Sequence, residues 1–229
     1  MCIEFLKSSI GKKAVMAVTG LLLLGFVVAH MLGNLQIFLG QEALNAYAHK
    51  LQSLPLLLWT ARAFLLLIFA VHVVFSLILA VENKRARPVP YAYKDTVEAS
   101  LASRTMVLSG LLILLFVIYH LLHFTLGVVH PEYFHLLDSK GRHDVYSMSL
   151  LSYRLWPVSA AYFAAMIVLY MHLKHGAPRF FQSLGIVDEK TRQGVECAGK
   201  ALAWIILVGN SSILFAAYFG FLKLPPGAA

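Results

Sequence analysis

Five apolar runs, each near twenty residues or longer, divide this chain at roughly 14–39, 56–81, 105–129, 154–175 and 200–222. A helix of about twenty residues rises about 30 Å, the thickness of a bilayer's hydrocarbon core. Hydrophobic residues make up 59% of the 229 and charged residues 13%, against roughly half and a quarter in a soluble domain. The expected fold is therefore all-α: an integral membrane bundle of five transmembrane helices, forming one domain over residues 1–229. The first run is too long for a cleaved signal and no small-x-small site follows it, so it is read as retained.

Loop charge sets an expected orientation. Thirteen of the 19 Lys and Arg fall on one side: Lys7, Lys12 and Lys13, then Lys84, Arg85, Arg87, Lys94 and Arg104, then Lys174, Arg179, Lys190, Arg192 and Lys200. The other side holds Lys50, Arg62, Lys140, Arg142, Arg154 and Lys223. The positive-inside rule then puts the N-terminus in the cytoplasm and the C-terminus outside. The formal charge of +8 reads as topology and lipid contact, with no need for nucleic acid. Cys2 and Cys197 lack metal-ligand spacing, and both fall on the reducing side.

Two of the runs repeat one another. GLLLLGFVVAH (20–30) and GLLILLFVIYH (110–120) match at seven of eleven positions, and both end on histidine. The first four runs carry one histidine each that demands an account: His30, His72, His120 and His172. Ionisable residues inside a membrane are costly and mark function by default. Counted from the cytoplasmic edge, His30 and His120 lie roughly 23 Å deep, His72 roughly 14 Å, and His172 shallower still. The four sort into an outer pair, His30 with His120, and an inner pair, His72 with His172.

Paired neutral imidazoles across a bundle are axial ligands for six-coordinate haem iron. Zinc would ask for three or four converging ligands with Cys or carboxylate among them. Two b-type haems fit better, and without Cys-x-x-Cys-His no covalent attachment is expected. Thr19 and Ser109 precede their histidines by three turns and so share that face. With Gly20 and Gly110 they either leave room for a flat macrocycle or serve helix packing.

The segments SSIGKKAVMAVTG leading to HMLGNLQIF, RTMVLSG leading to HLLHFT, and HLKHGAPRFFQSLG resemble the single-chain dihaem cytochrome b anchor of succinate dehydrogenases and fumarate reductases. The resemblance covers nearly the whole chain. It implies haem ligation by His30, His72, His120 and His172, and partnership with a flavoprotein and an iron–sulfur subunit that hold FAD and the clusters. It implies a multi-pass protein of a prokaryotic inner membrane, carrying electrons between those subunits and a quinone, menaquinone first. The complex could assemble further as a dimer or trimer. Succinate oxidation and fumarate reduction would use the same anchor. The competing classes are another dihaem quinone cytochrome, such as a formate dehydrogenase or hydrogenase subunit, and a His-relay proton-coupled transporter.

Further residues are candidates by depth alone. Arg104, Lys174 and Arg179 are placed to meet propionates of the inner haem, and Arg62, His49 and His123 those of the outer. His123 is expected nearly on the His120 face, and His175 at the interface. The segment 40–55 reads as an amphipathic surface helix whose Glu42, Asn45 and His49 could serve quinone proton transfer, Glu42 foremost. Residues 130–154 read as a solvated connection.

Overall fold

A computed structural model describes Glu4, residues 8–86 and residues 101–226. Cys2, Lys7, Arg87 and Lys94 lie outside the described residues. Among those described the chain is helical apart from loops and one isolated bridge between Leu137 and His143. The long helices are α1 (Ser9–Asn34), α3 (Pro55–Arg85), α5 (Met106–His120), α8 (Trp156–Ser183) and α9 (Glu189–Tyr218). Short elements join them: a 3₁₀ turn (Leu35–Leu39), α2 (Gln41–Gln52), α4 (Leu101–Arg104), a π turn (Leu121–Thr125), α6 (Pro131–Phe134) and α7 (Val145–Arg154).

Five helical segments are long and apolar enough to cross a membrane: Ser9–Leu39, Pro55–Arg85, Met106–Thr125, Trp156–Ser183 and Glu189–Tyr218. Along α3, Leu56, Leu57, Trp59, Phe64, Leu66 and Leu67 are all exposed. A contiguous apolar face of that extent is a lipid-facing surface in a multi-pass protein. Two span limits differ from the expectation. The fourth helix runs on to Ser183 and the fifth begins at Glu189, because helical hydrogen bonding continues where hydropathy falls. His172 and His175 consequently lie within α8, several residues before its end.

The chain packs as two compact units, each built from parts of the long helices. One comprises Met1–Phe26, Arg62–Leu111 and Tyr170–Trp204, the other Val27–Ala61, Leu112–Leu169 and Ile205–Ala229. In the first, the Lys12 ammonium donates to Glu82 and ties α1 to α3. There α9 approaches α8 so closely that a Cβ at Gly199 would lie 2.8 Å from the Pro178 ring.

The second unit holds an apolar cluster in which Ile37, Leu44, Tyr146, Leu150, Ile213 and Ala217 pack together. Gly40, at φ 98°, makes the turn into α2 that an L side chain would resist. Glu42 in the first turn of α2 and Lys50 in the last complement its dipole.

Residues 130–154 are not a solvated connection. They form α6, the bridge and α7, and Leu150, Ser147 and Ser152 are fully buried. A polar lock holds them to α2. Asn45, fully buried, donates to Asp144 at 2.9 Å and Asp138 at 3.3 Å, and accepts from the Tyr146 amide at 3.0 Å. Asp144 also caps α7 through the Ser147 amide and accepts from Gln41. Asn45 is thus an interior hydrogen-bonding residue and not a surface proton carrier.

Candidate functional site: paired histidines in two units

Each compact unit contains one of the two expected histidine pairs. His72 and His172 fall within the ranges of the first, His30 and His120 within those of the second.

In the second unit the His30 and His120 rings meet at 5.8 Å between centroids with planes at 88°. The two rings are in edge-to-face contact. Phe116 and Phe124 flank His120, at 5.9 and 5.7 Å. His30 is exposed and His120 half-buried.

A π turn directly follows His120 and carries the next histidine, His123. Such turns insert a residue into the helical register and cluster at functional sites. His123, only 2% exposed, faces Tyr162 through Nδ1 at 3.1 Å and Ser152 through Nε2 at 3.0 Å, and stacks on Phe124. Both ring nitrogens are engaged within the protein. His123 thus shares the Tyr162 side of its helix with His120, and in this arrangement it has no ring nitrogen to offer a propionate. Tyr162 also reaches His120 Nδ1 at 3.4 Å. This residue carried no signal in the sequence, being one tyrosine among ten.

In the first unit His72 Nδ1 lies 3.1 Å from the Thr19 hydroxyl, and His172 Nδ1 lies 3.1 Å from the Ser109 hydroxyl. Both hydroxyl residues are buried and both histidines half-buried. Gly20 and Gly110 face the same two rings: a Cβ would stand 3.2 Å from His72 Cε1 and 3.6 Å from His172 Cε1. The small residues of the repeat serve the histidine of the following long helix.

The other candidates scatter. Glu42 is exposed and accepts from Lys140 at 2.8 Å and from Arg142 at 2.8 Å. Arg142 and then Lys140 hold its carboxyl below the ordinary range. Burial opposes ionisation of Asp138, but hydrogen bonds led by the Arg142 side chain outweigh it and hold that carboxyl at about 2. His49, Arg62 and Arg104 are exposed. Arg179 is exposed and donates to Gln182, while Lys174 lies over the Tyr170 ring at 5.7 Å.

No protein-family model matches the chain, and neither do curated proteins or solved structures. The site therefore stands on its own geometry. Among the described residues no three His, Cys, Asp or Glu gather as a metal-binding group, so the recurring unit is the pair.

Proposed function

We propose that this chain is the dihaem cytochrome b anchor of a succinate:quinone oxidoreductase. The observation that carries the reading is the distribution of four histidines, one on each of the first four long helices, two to each compact unit. His30 and His120 would ligate one b-type haem, and His72 and His172 the other. Bound haems supply one-electron carriers of tunable potential. The chain's own residues do the rest. Thr19, Ser109 and Tyr162 orient ligand imidazoles, Gly20 and Gly110 keep the space beside two of them clear, and apolar helix faces exclude water.

The proposal extends to the setting. The N-terminus lies in the cytoplasm and the C-terminus outside, in a prokaryotic inner membrane. A flavoprotein and an iron–sulfur subunit dock on the cytoplasmic side, where FAD handles succinate or fumarate, and electrons pass to or from menaquinone. Support for this setting is the sequence resemblance together with five membrane-length helices.

The test is purification of the tagged chain from its own membranes. Two b haems per chain, co-purifying flavin and iron–sulfur subunits, and succinate-driven reduction of a menaquinone analogue are expected. A haem-free chain would remove the cytochrome reading. Two haems with no succinate activity would transfer the chain to another quinone-linked dehydrogenase.

A further inference from the structure

The two hydroxyl–histidine bonds are the same device built twice. Thr19 on α1 reaches His72 on α3, and Ser109 on α5 reaches His172 on α8, both at 3.1 Å and both to Nδ1. Each hydroxyl has one hydrogen. Thr19 directs it to the carbonyl of Val15 at 2.8 Å, with Met16 at 3.1 Å, and Ser109 to that of Met106 at 3.0 Å. Carbonyl oxygens can only accept. With its hydrogen so placed, each hydroxyl oxygen accepts, and the facing Nδ1 must carry the proton.

We infer that Thr19 and Ser109 are paired positioning residues that fix His72 and His172 as Nδ1–H tautomers and present both Nε2 lone pairs to one metal ion. The inference rests on the haem reading above. A hydroxyl accepting from Nδ1–H makes the imidazole a stronger donor through Nε2. A stronger donor favours ferric over ferrous iron, so the device lowers the potential of the His72/His172 haem. Gly20 completes it on the His72 side, because a Cβ there would stand 3.2 Å from the ring and press on the position the hydroxyl enforces. Tyr162 stands 3.4 Å from His120 Nδ1 and also serves His123. The strict one-hydroxyl, one-histidine arrangement thus belongs to the first unit.

Potentiometric titration of the purified complex tests this. Thr19→Val keeps the branched shape and removes the hydroxyl; Ser109→Ala removes the other. Each should raise the potential of the haem component that His72→Ala abolishes and leave the remaining component in place. A tenfold loss of ferric preference corresponds to about 59 mV for one electron, and a shift of that order is expected from each. Thr19→Ser and Ser109→Thr should restore the wild-type value. If Thr19→Val displaces the haem altogether, its retention in Thr19→Ser supports the hydroxyl role and its loss in both overturns it. Unchanged potentials in Thr19→Val and Ser109→Ala overturn the inference while leaving a dihaem wild type, and hence the functional reading, intact. A wild type without two haems overturns the functional reading instead.

Discussion

Asn45→Ala should unlatch the segment 130–154 from α2. The amide donates to the Asp144 carboxylate at 2.9 Å, adds a longer bond to Asp138, and accepts from the buried Tyr146 amide. A hydrogen bond to a charged group is worth about 1.5–3 kcal/mol, and stranding a buried backbone N–H costs about 1–3. The combined loss is about 3–5 kcal/mol, since Gln41 and the Ser147 amide still hold Asp144. For a chain of this size that lowers the melting temperature by roughly 10 °C. Scanning fluorimetry in detergent reads the shift, with exposed Gln52→Ala as a control expected to stay within about 0.5 kcal/mol. Hydrogen exchange localises it: the amides of Tyr146 and Ser147 should exchange at least about a hundredfold faster. A melting temperature within a degree or two of wild type, with unchanged exchange, would refute the lock.

Three shorter predictions follow from the same contacts. Asp138 has a depressed carboxyl pKa in the folded protein, so its contribution to stability is complete above the unfolded value near 4 and is lost as pH falls toward about 2. Asp138→Asn should flatten the dependence of melting temperature on pH over that window and lower the melting temperature at neutral pH, where the charge is in place. Gly20→Ala should broaden or shift the spectrum of the His72/His172 haem, because its Cβ would press His72 at 3.2 Å; Gly110→Ala, at 3.6 Å, should leave it unchanged. Glu42→Gln should preserve quinone-linked turnover and leave the melting temperature close to wild type, as befits an exposed ion pair. Loss of quinone turnover with succinate oxidation by an artificial acceptor retained would instead return Glu42 to a proton-transfer role.

The histidine pattern and the five spans were legible because hydrophobic length and intramembrane charge are local properties of a run. Contacts between runs were not. The repeat showed Thr19 and Ser109 on the histidine faces of their own helices, yet their hydroxyls serve His72 and His172 across to the next long helix. Periodicity along one helix says nothing about which neighbour its small residues meet. His123 does lie on the His120 side, both rings meeting the Tyr162 hydroxyl, but its partners Tyr162 and Ser152 come from other helices and leave no local signal. The lock around Asn45 joins residues about a hundred positions apart. The polar composition of 130–154 reads as solvation until those partners are in view. Helix ends were misjudged wherever charged residues continue a helix beyond the apolar stretch, as in Glu189–Lys200.

The central claim is that four histidines hold two haems in fixed pairs, and single-ligand replacement tests it most directly. Reduced-minus-oxidised spectra with potentiometric titration should be recorded for wild type and for His30→Ala, His72→Ala, His120→Ala and His172→Ala. Two b-type components are expected in the wild type. His30→Ala and His120→Ala should each abolish one component and keep the other, and His72→Ala and His172→Ala should do the reverse. Loss of the same component from His30→Ala and His72→Ala, or a wild type with fewer than two haems, would contradict the pairing.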